Sequence, residues 1–149
     1  MEYGFLYRDA TLPETFVNKY VPGTRILERG FTDSSKLRGG PNGNVRYLIL
    51  SDQGRDLSVV DENARKWGLV VFQNGTIFNV LDTYTQNGVT QILLTTESKS
   101  DSDLIEAARN DFEALLTEPP VPELTAVDWT GRVTNPLGLD DNGNPFPLV

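Results

Sequence analysis

Residues 68–96 read GLVVFQNGTIFNVLDTYTQNGVTQILLTT, three apolar runs separated by Asn74-Gly75 and Asn87-Gly88. A two-residue type I′ turn needs positive φ at both central positions, which Asn and Gly supply at least steric cost. The stretch therefore predicts a three-stranded antiparallel meander whose register is set by its turns. In that register Phe72 faces Ile77 and Val71 faces Phe78 across the first turn, while Leu81 faces Leu94 and Thr83 faces Ile92 across the second. One face gathers Val70, Phe72, Ile77, Leu81, Ile92 and Leu94. The other gathers Leu69, Val71, Phe78, Val80, Tyr84 and Leu93, broken by Asp82 and Gln91. A simple two-layer protein leaves one polar face; here both faces need cover.

One cover follows directly downstream. Ser100-Asp101-Ser102-Asp103 offers capping hydroxyls and first-turn acids, and Leu104, Ala108, Phe112 and Leu115 make one apolar stripe, so a helix is predicted over 102–117. Glu118-Pro119-Pro120 ends it. From Pro119 to Val149 there is no periodicity but five further prolines (Pro120, Pro122, Pro136, Pro145 and Pro147), which reads as an extended arm of polyproline character. The chain thus divides into an α+β body, 1–118, and a Pro-rich C-terminal arm, 119–149. The fold class expected is an antiparallel β-meander sheet with one main packing helix and that arm.

Upstream, residues 3–7 (YGFLY) suggest a short aromatic strand, Thr11-Leu-Pro-Glu14 has capping-box spacing for a brief helix, and residues 24–29 (TRILER) suggest another strand. Residues 30–44 (GFTDSSKLRGGPNGN) read as a long loop. Lys36 and Arg38 beside Gly39-Gly40 do not match a phosphate-binding loop, since no Gly-Lys-Ser/Thr follows. Residues 45–50 (VRYLIL) form a strand. Ser58-Val-Val-Asp61 opens a two-turn helix that stops at Trp67, with Gly68 free to adopt the left-handed conformation past its end.

Composition narrows the chemistry. The 149 residues suit one domain, and they contain neither cysteine nor histidine. That removes disulfides, thiolate nucleophiles and zinc–cysteine sites, and with them the commonest general base and metal ligand. Carboxylate, Lys or Tyr chemistry remains open. Of the carboxylate pairs, Asp101/Asp103 serve as a helix cap. Asp140-Asp-Asn-Gly-Asn144 fails as a calcium loop, because its sixth position is Pro145, and reads as a polar turn with Asn142-Gly143 at its tip. No catalytic, cofactor-binding or metal-binding residue is assigned.

Residues 1–96 carry no net charge, while residues 97–149 carry the whole −8. Nucleic acid and anionic membrane are poor partners for such an end, despite Arg25, Arg29, Arg38 and Arg46 near Tyr47. No stretch is long and apolar enough to span a membrane, and the N-terminus lacks the basic and apolar regions of a signal peptide. The expected location is cytoplasmic or within a virion.

The function expected from these features is a non-enzymatic structural or assembly subunit, for example a virion capsid-decoration or head/tail protein. It would bind protein partners, including copies of itself, through its second sheet face and its arm. The interaction residues assigned are Phe78 and Tyr84 on the sheet, and Trp129, Pro119, Pro120 and Pro122 on the arm. The alternatives are a small enzyme or ligand-binding domain using carboxylate, Tyr or Arg side chains, and an acidic inhibitor or immunity-type protein.

Overall fold

The computed structural model describes residues 6–36, 43–86, 88–96 and 136–148. Their chain order is β1 (Leu6–Ala10), α1 (Glu14–Val17), β2 (Arg25–Glu28), β3 (Thr32–Ser35), β4 (Val45–Leu50), β5 (Arg55–Asp56), α2 (Glu62–Trp67), β6 (Leu69–Phe72), β7 (Thr76–Gln86) and β8 (Val89–Thr96). All eight strands join one mixed sheet in the order β2-β7-β8-β4-β1-β3-β6-β5. Every pairing is antiparallel except β4 with β8, which run parallel from Val45↔Thr90 to Leu50↔Thr95.

This corrects the expected fold class. The described residues form a mixed sheet with two short helices, not a plain antiparallel meander dominated by one packing helix. The predicted helix over 102–117, with Phe112 at its centre, lies outside the described residues.

Half of the meander forms as predicted. Gln86 pairs with Val89 across a two-residue turn, Gly88 has φ of 79°, and Thr83 lies opposite Ile92. A register shift between Val80 and Asp82 then leaves Leu81 as an extra residue and puts Val80, in place of Leu81, opposite Leu94. Such a bulge reverses which residues face inward. Phe78 and Val80 consequently join Ile92 and Leu94 in the main core, while Leu81 and Tyr84 pack with Leu93 on the other face.

The other hairpin does not form. β6 pairs with β3 and β5, and β7 pairs with β2 and β8. The Asn74-Gly75 turn is instead a corner between two arms of the sheet, and the Gly75 amide bonds to the Glu28 carbonyl at 2.8 Å. The arms fold towards each other, so Phe72 of β6 and Phe78 of β7 meet edge-to-face inside, with ring centroids 5.4 Å apart. The expectation that both faces of residues 69–96 need cover thus holds, and the sheet itself covers one of them.

The upstream elements shift slightly. The brief helix starts at Glu14 after Pro13, with no side-chain cap, so Thr11 is not its N-cap. A strand, β3, runs inside the segment expected to be a loop. The second helix begins at Glu62, and the Ser58 amide and hydroxyl both bond to Asp56 rather than closing a capping box. Gly68 does take a left-handed conformation, with φ of 59°. Part of the expected arm, residues 136–148, lies against the chain's own core: Leu137 is fully buried and Leu139 nearly so. Asp140 accepts bonds from the amides of Asn142 and Asn144, forming the polar turn read from the sequence.

Candidate functional site

The sheet narrows at one seam. β1 and β4 pair along five residues, but β1 and β3 share one register pair, Tyr7↔Ser35. Arg8 crosses this seam: it sits on β1 directly opposite Tyr47 of β4, and its Nη1 donates to the Asp33 carbonyl of β3 at 3.2 Å. The period-two alternation of β1 sends Leu6, Arg8 and Ala10 to one side, and Leu6 and Ala10 belong to the main core. A guanidinium therefore stands in a row of apolar side chains, only 6% exposed. Burial lowers its pKa, opposed by the nearby Tyr47, Glu28 and Asp33, but an arginine keeps its proton at any physiological pH.

Tyr20 and Tyr47 lie beside it. Both are buried, their rings meet edge-to-face with centroids 5.5 Å apart, and their hydroxyls are 2.6 Å apart. Tyr20 Oη donates to the Leu137 carbonyl at 2.7 Å, and the Leu137 amide donates to Tyr47 Oη at 3.1 Å. Desolvation is the main reason that both phenols are pushed well above the ordinary tyrosine range. Glu28 at the end of β2 accepts from the Gly138 amide at 3.3 Å. It is the carboxylate felt electrostatically at Arg8, Tyr20 and Tyr47 alike.

On β3, Thr32 and Ser34 pair with Phe72 and Val70, whose side chains enter the main core. Ser34 Oγ donates to the Val70 carbonyl, but Thr32 Oγ1 is buried with no hydrogen-bond partner. A buried hydroxyl without a partner costs about 1–3 kcal/mol, an expense that native structures keep where a ligand or function uses the group. Where residues 136–146 pass the end of β2, a cleft of about 370 Å³ opens between Glu28 and Arg29 on one side and Pro136, Leu139, Asp140 and Phe146 on the other. Arg29 lies over the Phe146 ring, 4.7 Å from its centroid. The described residues thus hold a desolvated cation, two neutral phenols and a carboxylate in one cluster beside an open cleft. The cation suits an anionic group, and the carboxylate suits a positive one.

The opposite face has a different character. Arg46 donates from Nε and from a terminal nitrogen to Asp9, at 2.7 and 3.1 Å, with both side chains nearly inaccessible. This pair neutralises itself, and it withdraws Arg46 from the basic group considered in the sequence.

Of the residues assigned to interaction, the structure describes two, and it places them on opposite faces of the sheet. Phe78 is fully buried in the main core, and Tyr84 is half-buried against Leu93. Trp129, Pro119, Pro120 and Pro122 lie outside the described residues. Sequence reasoning missed Arg8, Tyr20, Glu28, Thr32 and Tyr47. One usable signal was present: Arg8 stands between Leu6 and Ala10 on one face of the period-two alternation of β1.

No family model matches the chain. Over 92 residues, 61% of its length, it is 32% identical to the NAD(+)–protein-arginine ADP-ribosyltransferase Tre1 of Pseudomonas putida strain GB-1. The chain spans 18% of that relative's length. Among solved structures it resembles the type III effector XopAI of Xanthomonas axonopodis pv. citri, with a TM-score of 0.56 and 18% identity over 64% of this chain and 44% of that one. It also resembles the ADP-ribosyltransferase HopU1 of Pseudomonas syringae pv. tomato, with a TM-score of 0.54 and 15% identity over 63% of this chain and 44% of that one. The fold is that of ADP-ribosyltransferases. These likenesses overturn the reading as a non-enzymatic virion assembly subunit, which rested on an arm-and-sheet architecture and on the absence of a recognised catalytic motif.

Proposed function

We propose that this chain is an ADP-ribosyltransferase domain that moves ADP-ribose from NAD+ to an arginine of a protein partner. The observation that carries the reading is the 32% identity over 92 residues to Tre1. In the transfer, the bond between the nicotinamide nitrogen and ribose C1 breaks, and nicotinamide leaves neutral with the electron pair. A guanidinium nitrogen of the acceptor supplies the new bond to C1 and releases a proton to solvent.

The candidate site suits the two charges involved. Arg8, already stripped of water, is the counter-charge for the pyrophosphate. Thr32 Oγ1 offers a hydroxyl that the fold leaves without a partner. Glu28 is the carboxylate available to stabilise positive charge developing at ribose C1. Protein partners enter this reading as acceptors of ADP-ribose, and self-association is not required.

The test is to incubate the chain with NAD+ and agmatine, following nicotinamide release and the mass of the acceptor. Acceptor-dependent release is expected, falling by two orders of magnitude or about that in Arg8→Ala and Glu28→Gln. An intact protein that neither binds nor cleaves NAD+ would overturn the reading.

A further inference from the structure

Tyr20 has one proton, and the Leu137 carbonyl takes it. The 2.6 Å contact between the two tyrosine hydroxyls must therefore be a bond donated by Tyr47. Tyr47 in turn accepts the Leu137 amide proton. The result is a closed ring of three hydrogen bonds, from Leu137 N–H to Tyr47, to Tyr20 and back to Leu137 C=O, with each donor used once. Every participant is buried. Loss of any one member leaves at least one other without its partner.

The ring ties the strap formed by residues 136–140 to Tyr20, which follows α1, and to Tyr47 of β4. Gly138 follows directly, with φ of 71°, and a Cβ there would come within 2.8 Å of Ile26 Cβ. Ile26 and Glu28 lie two residues apart on β2 and so share a face. With the backbone pressed against Ile26, the Gly138 amide meets the Glu28 carboxylate. At the other end of the linkage, Tyr47 stands directly opposite Arg8.

We propose that Tyr20 and Tyr47 are positioning residues: through the strap, their hydroxyl ring sets where the Glu28 carboxylate stands relative to Arg8. This rests on the reading of Arg8 and Glu28 as working groups, so the test includes a readout that needs no turnover.

Tyr20→Phe keeps the ring packing and deletes the hydroxyl, while Glu28→Gln alters only the end of the linkage. In Tyr20→Phe, amide exchange measured by NMR is expected to speed up on the order of tenfold at both Leu137 and Gly138, with β4 and β8 amides unchanged. In Glu28→Gln it should speed up at Gly138 alone. In turnover, Tyr20→Phe should lower kcat about tenfold with KM for NAD+ nearly unchanged. That loss should vanish in the Glu28→Gln background, because both changes remove one function.

Unchanged Gly138 exchange in a folded Tyr20→Phe protein would overturn the proposal, as would fully additive kcat losses. If Tyr20→Phe fails to fold, Tyr47→Phe breaks the same ring and is judged by the same amides. A protein without activity whose amides respond as expected would remove the transferase reading and leave the linkage standing.

Discussion

Arg8 and Arg46 show how neighbours decide the meaning of one residue type. Both are buried arginines on adjacent central strands, but Arg46 is paired with the carboxylate of Asp9, while Arg8 stands opposite Tyr47, donates to the Asp33 carbonyl and feels the charge of Glu28. Arg46→Leu takes from the buried Asp9 carboxylate its two-bond guanidinium partner and is expected to cost about 3–5 kcal/mol in chemical denaturation. Nicotinamide release per folded molecule should be unaffected, because the pair lies on the opposite face. The phenols supply a second check. Tyr84 is pushed up to about 12, by burial first and by Tyr7 second, and Tyr20 and Tyr47 are raised chiefly by desolvation. A phenol whose folded pKa exceeds the unfolded value of about 10 favours the folded state fully below that value and loses this contribution as pH rises above it. Stability should accordingly fall above about pH 10. In an ultraviolet pH titration, the buried tyrosines should ionise together with loss of the fold. Independent ionisation of all tyrosines near pH 10 in folded protein would contradict the buried ring.

Among the elements, the most local signals were the most legible. The Asn87-Gly88 hairpin formed because its turn residues, strand lengths and alternation agree. Gly88→Val should cost on the order of 1–3 kcal/mol, since a β-branched residue at φ of 79° is strained in any surroundings. An unchanged denaturation midpoint would count against the turn. Asn74-Gly75 carries the same dipeptide signal, but whether a tight turn joins ladder neighbours or rounds a corner depends on partners far away in sequence. β6 found β3 and β5, and β7 found β2, through side chains that turn chemistry cannot see. The bulge at Leu81 was equally hidden, since one extra residue reverses a face without changing composition. β3 was lost in a Gly- and Ser-rich stretch because its inward residues, Thr32 and Ser34, are polar. Of the site, the Arg8 anomaly was readable. The Tyr20–Tyr47–Leu137 ring was not, because its members are separated by up to 117 residues.

At the scale of the whole molecule, the described part of the sheet folds over one main core, which Leu137 and Leu139 join. Removing residues 136–149 takes away Leu137 and Leu139, each of order 2–5 kcal/mol if truncated to alanine, and strips two buried phenols of their bonds to Leu137. Such a truncation is expected to lose its cooperative unfolding transition by circular dichroism. A sharp transition in the truncated chain would make the strap dispensable to the core. The same closure has a meaning for vectorial synthesis. A ribosome delivers the chain N-terminus first at about 5–20 residues per second, so Tyr20 and Tyr47 emerge seconds before Leu137 can answer them. Through that interval the cluster around Arg8 has no closed ring beside it and no strap to meet Glu28. Assembly of the site is therefore timed to the emergence of Leu137, and a nascent chain halted short of that residue would lack both the closed ring and the finished centre.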